Sequence, residues 1–459
     1  MLVPRTRLIL WVSLIVLPFA AVGATLPGAW AVSAVFIGGL FVLVLFDAAS
    51  APRALAGISV ALPQLVRLQK DRAGSIEVRI QNDTMAARAL RLGLALPREI
   101  ASPADDLVTS LPAGAALSRV EWPVTPARRG QYRIERTYLE AASPLGFWSI
   151  RSSQPADAEL RVYPDLHSER KNVAALFLRR SQLGMRAQRQ AGQGRDFEKL
   201  REYVPGDSLD EIHWKASAKR GHLVTKVFQV ERTQEVYVII DASRLSGRKV
   251  SAPRVADASE APPASSIQHP ASTAIERFVT AALILGAAAE RQGDQFGLLT
   301  FSDRVLSFVR AKNGPAHYDA CRDRLYALQP QLVAPDFDEL CSFIRMRLRK
   351  RALLIFLTAL DDPMLAESFV KSAALICRQH FMLVDMLQPS GAAPIFGDAD
   401  VHSVPELYQR LGGHLRWRDL RELQKVLQRR GIRLSLLDPE KLAAQLIEQH
   451  AEVKARQLI

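Results

Sequence analysis

Cysteine is scarce in this chain. Only Cys321, Cys341 and Cys377 occur among 459 residues. An odd number with no Cys-x-x-Cys pair argues against a disulfide framework and against a thiolate zinc site. The three read as free thiols in a reducing compartment. Catalytic signatures are missing as well: there is no Gly-x-Ser-x-Gly elbow, no P-loop and no His-Glu-x-x-His. Nine histidines are scattered without ligand spacing. Asp207, Ser208 and His213 are close along the chain, but members of a triad meet in space rather than in sequence. The expectation is a non-enzymatic protein with no catalytic residue and no organic cofactor.

What is present is apolar residue and positive charge. Hydrophobic residues make up 48% and charged residues 23%, a globular composition. The length exceeds one compact core, so two soluble domains are expected. The net charge of +13 suits anionic headgroups or nucleic acid and does not choose between them. No specific nucleic-acid motif accompanies it.

Two apolar runs without a charge, 8–24 and 30–46, each approach the roughly 20 residues needed to cross hydrocarbon. The turn signal Leu26-Pro27-Gly28 separates them. Arg5 and Arg7 precede the first run and Arg53 follows the second, which places both ends in the cytoplasm. A cleavable signal peptide ending near Val22-Gly23-Ala24 is the competing reading. After cleavage the second run would still span, with Arg53 inside. The expected location is therefore the bacterial inner membrane, multi-pass, with cytoplasmic soluble domains.

From 57 to 165 the pattern alternates with period two. Ile76, Val78 and Ile80 alternate with polar residues, as do Leu90, Leu92, Leu94 and Leu96, and Val120, Trp122 and Val124. Short strands without helices between them predict a β-sandwich of immunoglobulin-like type. Residues 166–232 form a basic connector, with fourteen lysines and arginines against eight acids. Arg170, Lys171, Arg179, Arg180, Arg186 and Arg189 lead it. From 233 to 459 strands alternate with helices, predicting an α/β doubly wound domain with a mobile, Ala/Pro/Ser-rich insertion at 251–272. Ligands of such sheets sit at the carboxyl ends of strands, where Asp241 and Thr358-Ala359-Leu360-Asp361 fall.

The segment from Gly192 to Arg232 is the densest in chemistry. Phe197, Leu200 and Tyr203 share a helical face, Pro205-Gly206-Asp207 breaks that helix, and Ile212, Trp214 and Lys215 open another that Gly221 can end. Trp214 beside Lys215, Lys219 and Arg220, with Asp207, forms a candidate interaction surface. The alternative is that Trp214 packs the segment onto the α/β core while the cations stay solvated.

These residues resemble the signature of a bacterial family known as domain of unknown function 58. The match runs through Arg129-Gly130-Gln131-Tyr132, Ser143-Pro144-Leu145-Gly146-Phe147, Val162-Tyr163-Pro164, Asp196-Phe197-Glu198 through Arg220, and Phe296-Gly297-Leu298. One departure is that Asp210-Glu211 stand before Ile212-His213-Trp214, where the family often has arginine. The resemblance implies a von Willebrand factor A-like fold for the α/β part and a partnership with MoxR-type AAA+ ATPases in a chaperone-like or complex-maturation role. It also poses a question about metal. Such domains hold a divalent cation through Asp-x-Ser-x-Ser, a threonine on a second loop and an aspartate on a third. Here Asp241 and Ser243 match, but Leu245 supplies no oxygen. The second loop offers Asp336 instead of threonine, and Asp361 fits the third. Mg²⁺ needs near-octahedral oxygen ligands, so binding through Asp241, Ser243 and Asp361, with Asp336, is expected to be weak or lost.

Three readings follow. The leading one is a membrane-tethered binding or adaptor protein whose Asp241 surface meets the ATPase. The second is an adaptor for anionic lipid or polymer through 170–220. The third is a cryptic metal-dependent hydrolase, which requires Asp241, Asp336 and Asp361 to converge.

Overall fold

The structure is a computed structural model that describes residues 1–26, 28–166, 196–204, 209, 212–229, 234–250, 272–389, 391–395 and 403–456. The cations Arg170 to Arg189, Asp207, Asp210, Glu211 and the insertion 251–271 lie outside the described residues. The chain divides into two compact units, 1–165 and 166–459.

The first unit begins with a short strand that the sequence pattern did not announce, β1 (Leu2–Pro4). Helix α1 (Thr6–Thr25) and the helix running from Trp30 through Ala54 are long and apolar enough to cross a membrane. Within α1 a π turn covers Val12–Val16. Pro18 explains it, because its ring removes one amide donor and crowds the carbonyl four residues earlier. In the second helix, α2 (Trp30–Ser50), the buried Ser33 lies against Gly23 of α1. A Cβ at Gly23 would come within 3.1 Å of the Ser33 hydroxyl, so a small residue there permits the close approach. Phe19 stacks on Phe36 with ring centroids 4.5 Å apart.

Two sheets follow, as the alternation predicted. One holds β2 (Ile58–Ala61), β4 (Gly74–Asn82), β8 (Leu117–Pro126) and β6 (Ile100–Ala101) in that order. The other runs β1, β10 (Trp148–Tyr163), β9 (Gly130–Ala142), β5 (Arg88–Leu94), β7 (Leu107–Leu111), with β3 (Leu65–Gln69) parallel to β10. Ile76, Val78, Ile80, Trp122 and Val124 from the first sheet share one buried cluster with Leu90, Leu92, Leu139, Leu160 and Val162 from the second. Trp122 is fully buried, and its indole N–H donates to the Ser102 hydroxyl at 3.0 Å.

The end of α2 is fastened to this sandwich through Asp47, which is completely buried. Its carboxylate accepts hydrogen bonds from the Ser143 hydroxyl at 2.5 Å, the Leu145 amide at 2.9 Å and the Phe147 amide at 3.0 Å. The Trp148 indole donates to the Val44 carbonyl at 3.1 Å. On the other strand of the hairpin, β1 pairs antiparallel with Trp148–Ile150, and the Arg5 amide donates to the Phe147 carbonyl. The Ser143-Pro144-Leu145-Gly146-Phe147 loop therefore holds both feet of the hairpin.

The second unit contains a two-stranded ribbon and an α/β sheet. The ribbon is β11 (Asp196–Glu202) paired antiparallel with β12 (Val224–Gln229). This corrects the helix expected over Phe197, Leu200 and Tyr203. Their spacing fitted a helix, but a partner strand some 27 residues away supplies the backbone hydrogen bonds and overrides local propensity. Between them α3 (Trp214–Arg220) forms where expected, and Gly221 closes it in the left-handed conformation at φ 74°.

The α/β sheet has the order β15 (Val305–Lys312), β14 (Gln295–Phe301), β13 (Glu235–Asp241), β16 (Leu353–Leu357), β17 (Phe381–Leu387), β18 (Arg433–Leu437). All neighbours are parallel except β14 and β15. The antiparallel edge strand β15 was not expected; it fills part of the stretch between the predicted strand at 296–301 and the next helix. Helices α4 (Ala274–Arg291), α5 (Pro315–Leu325) and α9 (Leu442–Ala455) bury residues with one face of the sheet. Helices α6 (Phe337–Arg347), α7 (Pro363–Ala373) and α8 (Val404–Arg429) bury residues with the other. The central strands are apolar on both faces, which is why they read as unbroken runs. Gly297 on β14 is forced: a Cβ there would lie 2.4 Å from the Tyr237 ring.

Candidate functional site

The strand order reverses at β13, whose neighbours are β14 and β16. Asp241 ends β13 at that switch point, where ligands of open α/β sheets bind. It is fully buried. One carboxylate oxygen accepts from the Ser243 amide at 2.7 Å, and the other from the Thr358 hydroxyl at 2.6 Å. Thr358 lies just beyond β16 and is also fully buried. Burial pushes the Asp241 carboxyl above its ordinary value, against the opposing hydrogen bonds from Thr358 and Ser243.

The rest of the predicted ligand set is engaged elsewhere. The Ser243 hydroxyl accepts from the Leu245 amide at 3.3 Å and caps a 3₁₀ turn. Leu245 is buried and apolar. Asp336 is exposed and caps α6, accepting from the amides of Asp338 and Glu339 at 3.0 Å each. Asp361 pairs with Arg248, a residue that sequence reasoning did not single out. Among the described residues no group of three His, Cys, Asp or Glu side chains is arranged to hold a metal. The convergence of Asp241, Asp336 and Asp361 required by a metal-dependent hydrolase is therefore absent. The donors around Asp241 do not fit an octahedral cation: one ligand position is a leucine, and a guanidinium already neutralises Asp361. Beside the cluster, the Ser302 hydroxyl lies within hydrogen-bond distance of Asp303 (2.7 Å) and of Gln331 (2.8 Å), and the Asp336 amide donates to the Ser302 carbonyl, tying the second loop to the end of β14.

The connector surface differs from the packing alternative. Trp214 is 65% exposed and does not pack on a core. Ile212, Ser217, Val224 and Thr225 are buried there. The fold of α3 is local: the His213 ring nitrogen accepts from the Ala216 amide at 3.0 Å, and Ser217 accepts from the Val224 amide at 2.9 Å. Lys215, Lys219 and Arg220 are exposed beside Trp214. Aromatic and cations thus share one short helix.

The architecture defines a class: a protein with two membrane-length apolar helices, a β-sandwich and a largely parallel α/β sheet with a polar cluster at its switch point. Residues 199–404 match the model of a family described as protein of unknown function DUF58. Among solved structures, it is similar to an aerotolerance-related membrane protein from Bacteroides fragilis, at 16% identity over 48% of this chain and 98% of that one, with a TM-score of 0.30. It is also similar to the conserved hypothetical protein BatB from Bacteroides thetaiotaomicron, at 13% identity over 49% of this chain and 99% of that one, with a TM-score of 0.28. No curated protein matches.

Proposed function

We propose that the chain is a membrane-tethered, non-enzymatic binding protein whose α/β sheet is von Willebrand factor A-like and offers its Asp241 end to a partner. The observation that carries this is the strand order with one antiparallel edge strand, which leaves Asp241 and Thr358 at the switch point. The partner in this reading is a MoxR-type AAA+ ATPase, which the family resemblance supports. The anchor sits in the bacterial inner membrane with the soluble parts cytoplasmic, a reading supported by Arg5, Arg7 and Arg53 at the ends of the apolar runs. Arg248 on Asp361 and Leu245 in the ligand loop support weak or absent Mg²⁺ binding.

Affinity capture of the full chain from native membranes, with and without nucleotide, tests the partnership. Enrichment of an AAA+ ATPase that Asp241→Lys abolishes is expected; no ATPase under either condition refutes it. Titration with Mg²⁺ and Mn²⁺ tests the metal reading, which micromolar affinity abolished by Asp241→Ala would sink.

A second reading has its own observation, the exposure of Trp214 beside Lys215, Lys219 and Arg220. Such a face suits anionic headgroups or an anionic polymer. Binding would then fall steeply as salt rises.

A further inference from the structure

The amino-terminal edge of the α/β sheet carries a cavity of about 200 Å³, lined by Glu235 and Tyr237 at the start of β13, Arg310 of β15, and Arg347, Arg349 and Lys350 at the end of α6. Glu235 and Asp241 are six residues apart on one strand, so at about 3.3 Å per residue the cavity lies roughly 20 Å from the Asp241 cluster. Four cations line it against one carboxylate. Among the described residues none of the four cations forms an ion pair.

The ordinary use of cations at this position is to serve the last carbonyls of the helix. The carbonyls at the cap and just past it are served by another residue. The Gln379 side-chain amide donates to the carbonyls of Leu348 at 3.1 Å and Arg349 at 2.9 Å. Arg347 lies over the Phe343 ring, 5.7 Å from its centroid, which braces its guanidinium. The cavity floor is equally fixed. The Tyr237 hydroxyl accepts from the Ala311 amide at 3.1 Å and lies 3.3 Å from Glu235, an arrangement that only the absent side chain of Gly297 permits.

We propose that this cavity is a binding site for a phosphoryl group. Guanidinium groups match a phosphoryl oxygen set in charge and in paired donors. Glu235 supplies one acceptor, suited to a P–OH or a neighbouring ligand hydroxyl. The volume is below the roughly 300–1,000 Å³ of sites that enclose drug-sized ligands, so it suits a compact phosphoryl group rather than a whole nucleotide. The group has two possible sources, free phosphate or the glycerophosphate of a lipid headgroup.

The test uses the full chain in nanodiscs made of zwitterionic lipid. Inorganic phosphate, pyrophosphate and glycerol phosphate are titrated in turn by calorimetry. Saturable binding is expected for at least one, weakened tenfold or more by Arg349→Ala and abolished by Arg310→Ala with Arg349→Glu. Lys425→Ala, at an exposed cation of α8 outside the cavity lining, leaves it unchanged. Preference for glycerol phosphate assigns the headgroup as source, and preference for phosphate or pyrophosphate assigns the free anion. Arg310 and Arg349 are exposed. Their variants should therefore keep the parent's thermal midpoint, so lost binding reads as a lost site. No saturable binding at millimolar concentrations, or binding indifferent to Arg310 and Arg349, overturns the proposal.

Discussion

Asp47→Ala should uncouple the membrane hairpin from the sandwich. The substitution removes one acceptor group and strands three donors: the Ser143 hydroxyl and the amides of Leu145 and Phe147. Hydrogen bonds to a charged group contribute about 1.5–3 kcal/mol each, but three to one carboxylate are not additive. A net loss of about 4 kcal/mol is expected, in the range for removing one partner of a buried charged network. Asp47→Asn keeps one carbonyl oxygen but turns an NH₂ group toward donors, so about 2–3 kcal/mol is expected. The effect should be local first, because β1 and the Trp148–Val44 bond still hold the loop. Hydrogen exchange of the full chain in detergent should show the Leu145 and Phe147 amides losing protection, while amides of β4 and β8 keep theirs. Unchanged protection at both amides, with a denaturant midpoint equal to the parent's, would refute the coupling.

Three further outcomes follow from the α/β unit. Thr358→Val is nearly isosteric but leaves one Asp241 oxygen without a donor in a fully buried site, so denaturant unfolding should show a loss of about 2–3 kcal/mol; a loss below about 0.5 kcal/mol would mean water or another donor takes over. Burial pushes the Asp385 carboxyl up to about 7, against hydrogen bonds from Gln449 and Ser435. The native state then holds a proton that the unfolded chain releases, so this group's contribution is most favourable below about pH 4 and is lost as pH rises to about 7, by up to about 4 kcal/mol. Asp385→Asn should remove that slope, and parallel pH profiles of parent and variant would contradict it. Burial also pushes the Cys321 and Cys341 thiols up to about 12, whereas Cys377 is partly exposed. Maleimide labelling of the native chain should modify Cys377 first, and rapid modification of Cys321 would show that its environment opens.

Much of the fold was legible because the strands of the α/β sheet are buried on both faces and those of the sandwich on one. The two patterns, continuous and alternating, have different periods, and both appear in the sequence. What was not legible depends on partners far away in the chain. β1 is three residues long and exists because β10 accepts it. β15 is an edge strand defined by β14, and β11 passes for a helix until β12 is placed beside it. The site behaves similarly. Asp241 and Thr358 were placed at strand ends by pattern, Ser243 was added by the family resemblance, and the three do meet. Arg248 was invisible because its partner Asp361 is 113 residues away. Asp336 looked like a ligand, but an aspartate directly before a helix is more often its cap, and here it is. Asp47 had a signal that could have been read, a lone acid closing an apolar run.

The motif Ser143-Pro144-Leu145-Gly146-Phe147 gains a physical explanation from Asp47, and this bears on the choice between a retained hairpin and a cleaved leader. The loop receives two feet. One is the end of α2, through Asp47 and the Val44 carbonyl. The other is the stretch before α1, through β1 and the Arg5 amide. Cleavage near Ala24 would remove the second foot entirely. The edge of β10 at Trp148–Ile150 would lose its neighbour on that side and become an open edge, a liability that β1 covers. Both feet rest on one loop of the sandwich, which fits a hairpin whose two ends lie on one side of a membrane, the arrangement that the flanking arginines favour. Mass spectrometry of the chain purified from membranes decides the matter: an amino terminus upstream of Arg5 supports the retained hairpin, and one near residue 25 removes it.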